Sequence, residues 1–81
     1  MTNNEIILRT QNFANTNMRN IGFAYKGARM AVYDPNMEIK EIHVFSNDIL
    51  PSDVYQFMFT LGFYADAPLS KGGNCMIFKK I

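Results

Sequence analysis

Residues 51 to 62 hold the pattern that most limits how this chain can fold. Val54, Phe57, Met58 and Leu61 fall at i, i+3, i+4 and i+7, one side of a helix, a spacing that a strand would split between its two faces. Pro51 is acceptable in a first turn, and Asp53 is favourable beside the positive end of the helix dipole. Gly62 supplies a left-handed stop. A helix with one apolar stripe needs one apolar surface to cover, and the segments around it read as strands. The expected class is therefore α+β, an antiparallel sheet with a single helix packed on one face. The expected order is approximately β-β-β-β-α-β-β, and 81 residues make one domain spanning 1–81.

The first strand is expected over residues 5–10, where Ile6 and Leu8 alternate with Ile7 and Arg9. Residues 11–20 contain Asn12, Asn15, Asn17 and Asn20, whose short amides favour turns, so this stretch reads as an exposed loop anchored by Phe13 and Met18. Ile21-Gly22-Phe23-Ala24-Tyr25 and Ala28-Arg29-Met30-Ala31-Val32 flank Lys26-Gly27 as a hairpin. A two-residue loop sets Tyr25 against Ala28, Phe23 against Met30 and Ile21 against Val32, with every large apolar side chain on one face. The other face then carries only Gly22, Ala24 and Ala31, with Lys26 and Arg29 at one end. Asp34-Pro35-Asn36-Met37 reads as a type I turn. In the next strand, residues 38–45, Ile39 and Ile42 lie three apart, so burying both with Val44 calls for a bulge near Lys40-Glu41. Two more strands are expected at 63–66 and 74–80, the latter with Met76 and Phe78 alternating against Cys75, Ile77 and Lys79.

A net charge of +1 supplies no field that would drive the whole chain toward nucleic acid or an anionic membrane. No apolar run approaches the ~20 residues needed to span a bilayer, so the chain is not expected in a membrane. Cys75, alone, has no intramolecular partner, and Met1-Thr2-Asn3-Asn4-Glu5 lacks the features of a secretory signal; the expectation is a reducing, cytoplasmic location. A domain this small leaves much surface exposed, and a second copy forming a homodimer is one source of the missing burial. Frequent Asn, abundant Ile, Phe, Tyr and Met, and no Trp together associate with AT-rich genomes such as those of bacteriophages and low-GC bacteria.

Catalytic parts are scarce. His43 is the one histidine, and no nucleophile turn of the G-x-S-x-G type accompanies it. Cys75 and His43 both fall on expected strands, where a core cysteine and a structural histidine are the default readings. One Cys and one His leave a zinc site without local spacing. Lys71-Gly72-Gly73 lacks the phosphate-loop pattern and precedes a strand. Leu61-Gly62-Phe63-Tyr64, a glycine-bearing connection and Asn74-Cys75-Met76-Ile77-Phe78, in the C-terminal third of the chain, resemble the helix, Gly-Phe strand and second strand of HicA-type toxins. Those ribonucleases place a histidine at the start of the second strand. Asn74 stands in that neighbourhood here, so the resemblance implies no catalytic residue. The chain is read as a non-enzyme with no cofactor and no metal.

What remains is surface. Tyr55 and Phe59 flank the core stripe one turn apart, either packing in a second row under residues 13–18 or forming an exposed aromatic patch. Tyr25, Lys26, Arg29 and Tyr33 form a second candidate partner-binding group. The favoured function is a protein-binding module, of the kind small phage inhibitors use to block a host defence or transcription machine. The alternative is a nucleic-acid-binding regulator in which Arg9, Arg19, Lys26 and Arg29 converge beside Tyr25 and Tyr33.

Overall fold

The structure, a computed structural model, describes residues 2–17, 20–27, 38–69 and 72–81. Its elements run α1 (Asn3–Asn17), β1 (Ile21–Lys26), β2 (Glu41–Ser46), α2 (Ser52–Thr60), β3 (Phe63–Pro68) and β4 (Cys75–Lys80). The four strands form one antiparallel sheet in the order β1-β2-β4-β3. Both helices lie on one side of it. The α+β class with an antiparallel sheet is as expected, but the described residues contain two helices, and the order is α-β-β-α-β-β.

The first strand and the loop after it are replaced by α1. Thr2 explains the start, because its hydroxyl accepts the Glu5 N–H at 3.2 Å and its carbonyl accepts the Ile6 N–H at 3.1 Å. Thr2-x-x-Glu5 is thus a helix-entry signature. Ile6-Ile7-Leu8 is a continuous apolar run that either period can accommodate. The helical reading buries Ile6 and Thr10, four residues apart, and leaves Leu8 exposed. Phe13 then continues the same side and stacks on Phe57 of α2, with ring centroids 4.3 Å apart. That packing outweighs the weak helix propensity of the asparagines by supplying apolar burial.

The second helix follows the sequence closely. Pro51 is its N-cap, without a side-chain hydrogen bond, and Val54, Met58 and Leu61 are buried. Gly62 ends it at φ +87°, its N–H donating to the Phe59 carbonyl at 3.0 Å. β2 and β3 flank β4, so the connection through α2 crosses over the central strand and buries its stripe on the sheet.

Register sorts the side chains. Ile21, Phe23 and Tyr25 of β1 pair with Ser46, Val44 and Ile42 of β2, while Ile42 and Val44 pair onward with Phe78 and Met76 of β4. These are the residues facing the helices, and Ile42, Val44 and Phe78 are completely buried. Ile39 is buried as well. Glu41 is the ladder partner of Lys26, yet the Lys40 N–H also donates to the Lys26 carbonyl at 2.9 Å. Two residues thus oppose one, the arrangement of a bulge, and this is how Ile39 and Ile42 reach the same side. The expected second hairpin strand over residues 28–32, and the turn at Asp34-Pro35-Asn36-Met37, lie outside the described residues. The neighbour observed for β1 is β2.

Three substitutions check this account by urea denaturation. Gly62→Ala is expected to cost roughly 1–2 kcal/mol, since a Cβ at positive φ is strained even where space is free. Gly22→Ala, where a Cβ meets nothing within 4 Å and φ is not positive, is expected to be neutral or to stabilise by up to about 1 kcal/mol. Thr2→Ala is expected to cost about 1 kcal/mol by uncapping α1.

Candidate protein-interaction surfaces

The helices cover one side of the sheet; the residues of alternate parity face the other way. Across the strands in the order β1, β2, β4, β3 they form three rows. The first is Lys26, Glu41, Lys79 and Tyr64, and the second is Ala24, His43, Ile77 and Ala67. The third is Gly22, Phe45 and Cys75, continued by Leu69, whose N–H donates to the Cys75 carbonyl at 3.0 Å. Charge is concentrated in the first row and apolar surface in the third. Phe45 is 43% exposed and Tyr64 42%, and no described helix covers either.

The polar groups on this face are tied to one another. His43, whose side chain is only 13% exposed, contacts the Glu41 carboxylate through Nε2, and its ring lies 6.4 Å from that of Phe45. A bulge between Ala65 and Ala67 adds Asp66 to β3, and its carboxylate lies 3.3 Å from Lys79 Nζ. The hydrogen bond to Asp66, then its charge, together with Glu41, holds the Lys79 ammonium above the usual lysine value of 10.5. Cys75 is a diagonal neighbour of His43 on the same face, but the imidazole is engaged with Glu41 instead. Among the described residues no group of three or more His, Cys, Asp and Glu side chains is arranged to hold a metal ion. No described helix is long and apolar enough to cross a membrane.

The partner-binding candidates separate. Tyr55 is half-buried, its ring 5.6 Å from Phe78 of the core. Phe59, one turn on, is 64% exposed. The pair therefore splits into one packed ring and one free ring. Tyr25 faces the helices, where its hydroxyl meets that of the fully buried Thr10. Thr10 donates its own proton to the Ile7 carbonyl at 2.8 Å, so Tyr25 is the donor to Thr10. Lys26 lies on the uncovered face, opposite to Tyr25. Arg9 is exposed on α1 in the helix layer, so Arg9 and Lys26 do not converge. Arg29, Tyr33 and Arg19 lie outside the described residues.

Sequence reasoning found Gly22, Ala24 and Lys26 on the uncovered face but missed Phe45, Ile77 and Tyr64. The signal was present in the phase of β2 and β4, where Phe45 and Ile77 stand opposite in parity to Val44 and Phe78. What was missing was the identity of the neighbouring strands. Compared with family models, with curated proteins and with solved structures, the chain matches none.

Burial raises the Tyr25 phenol above its ordinary value of 10.0. The folded state thus holds this proton more tightly than the unfolded chain, and the stability it contributes is complete below pH 10.0 and is lost as pH rises through the folded value. Urea denaturation of the parent chain is expected to show a steeper decline above pH 10.0 than that of Tyr25→Phe. At neutral pH the variant is expected to lose about 0.5–1.5 kcal/mol with the Thr10 hydrogen bond. Parallel declines in the two proteins would remove Tyr25 from the account.

Proposed function

We propose that this chain is a non-enzymatic protein-binding module that acts by occupying a surface on a larger macromolecular machine. The supporting observation is that large apolar side chains stand exposed in both layers: Phe59 in the helix layer, Phe45 and Tyr64 on the sheet. The core is closed without them by Ile42, Val44, Met58, Phe63 and Phe78. An exposed aromatic set among polar neighbours, here Gln56 and Thr60 on the outer side of α2, is the kind of residue that anchors an interface. The asparagine-rich, tryptophan-free composition motivates a bacterial host machine, of defence or transcription, as the target.

Nucleic-acid binding is the competing reading. On the uncovered face Lys26 and Lys79 alternate with Glu41 and Asp66, so a phosphate chain laid across it meets an acid beside each base. That alternation favours a protein partner.

The tagged chain, used as bait in a bacterial lysate, is expected to retain a protein complex at stoichiometric level. Phe59→Asp is expected to reduce retention at least tenfold with little change in unfolding midpoint, because the side chain is already in water. Retention of nothing, or equal retention by the variant, counts against the reading. A salt-sensitive mobility shift with RNA or DNA, without protein capture, would transfer it to nucleic acid.

A further inference from the structure

We propose that the sheet face on which no described helix lies packs against the same face of a second copy of this chain, about a two-fold axis lying between β2 and β4 and parallel to them. This goes beyond the function proposed above: it assigns Phe45 and Tyr64 to a second copy and leaves Phe59, in the other layer, to a foreign partner.

The row pattern selects that axis. A two-fold axis along the strands reverses their order and keeps each row facing itself, so β2 lies over β4 of the second copy and β1 over β3. In the first row Glu41 then faces Lys79 of the second copy, and Lys79 faces Glu41. Lys26 faces the ring of Tyr64, a cation over an aromatic. In the second row Ala24 meets Ala67, and His43, its Nε2 engaged with Glu41, meets Ile77. In the third row Phe45 meets Cys75. Leu69 meets Gly22, above which there is open space for a larger side chain.

Other axes spoil the match. Centred on β2, the axis sets Glu41 against Glu41; centred on β4, it sets Lys79 against Lys79. An axis across the strands lays the charged row over Phe45 and Cys75. Moved between β1 and β2, the axis still sets Lys26 against Glu41 but overlaps only two strands of each copy; between β2 and β4 it puts acid on base and apolar on apolar across all four strands, as an isologous interface requires.

Size sets how tight the pair can be. Four strands of six residues make a face of about 19 by 20 Å. The two faces together, being corrugated, then hide close to the ~1,000 Å² at which specific interfaces begin. Such a pair associates reversibly with concentration, in the aligned geometry of two stacked sheets.

Sedimentation equilibrium of the full chain from about 1 µM to 500 µM is the test. The mass is expected to rise from 9.3 kDa toward twice that value. Glu41→Lys and Lys79→Glu are each expected to weaken association at least tenfold, because like charges then oppose across the axis. An equimolar mixture of the two variants is expected to pair again, each supplying the charge that the other needs. Circular dichroism of each variant establishes folding, and recovery in the mixture is something a misfolded chain cannot show. A parent chain at 9.3 kDa throughout would overturn the proposal, as would single variants that associate like the parent.

Discussion

Ile42 and Val44 of β2 and Phe78 of β4 expose no surface, and Ile42 stands directly opposite Phe78 in the ladder. Those three side chains can be dry only if α2 is in place, since Val54 and Met58 share the same cluster and are equally buried. In turn the stripe of α2 is buried on that strand pair, with Phe57 at its margin stacked on Phe13 of α1. The central strand pair and the crossover helix therefore form together or not at all, each side chain contributing roughly 1.5–3 kcal/mol of burial. Everything else is attached to that unit. β1 adds an edge through β2, and β3 returns along β4. α1 reaches the unit mainly through side chains: Ile6, the Thr10–Tyr25 hydroxyl pair, the Phe13–Phe57 stack, and Asn3, whose side-chain oxygen accepts the Ile39 N–H at 3.2 Å.

The uneven attachment explains which parts could be read from the chain. The stripe of α2, its glycine stop and the alternation of β4 are local signals that agree with their burial, so sequence and structure coincide there. Ile39 and Ile42 conflict with simple alternation, and the conflict itself pointed to the irregularity found at Lys40 and Glu41. α1 was misread because its apolar content is concentrated in Ile6-Ile7-Leu8, too short to declare a period, while the asparagines after it argued for a turn. Its decisive features are the Thr2 cap, visible in sequence, and the Phe13–Phe57 stack, a long-range contact that no local window contains. The surface was half legible for the same reason. Parity along a strand says which residues share a face, but strand order decides which rows they join, and β4 between β2 and β3 is a tertiary fact.

The same dependence governs how the molecule can meet others. Among the described residues both helices lie on one face of the sheet, and no helix lies on the other. Leaving that face wholly apolar would invite indiscriminate association. Here the hazard is met by position, since one end carries Lys26, Glu41 and Lys79 while Phe45, Cys75 and Leu69 stay at the other. A partner sliding along the strands brings charge over apolar surface, and one sliding across them brings like charges together, so misaligned contacts are penalised.

The outer edge of the sheet is treated differently. β3 is an edge strand, and edge strands present unpaired backbone groups to any extended chain. Its ladder with β4 is interrupted by the bulge that carries Asp66, and it ends at Pro68, which has no N–H to offer. A bulge twists an edge away from regular pairing, an edge charge disfavours a second strand, and proline removes a donor where a ladder would continue. Growth of the sheet at this edge is therefore blocked by backbone chemistry, while contact through its face is filtered by side-chain charge. Asp66 belongs to both devices, since the bulge that spoils the edge also brings its carboxylate to Lys79 and completes the charged end of the face.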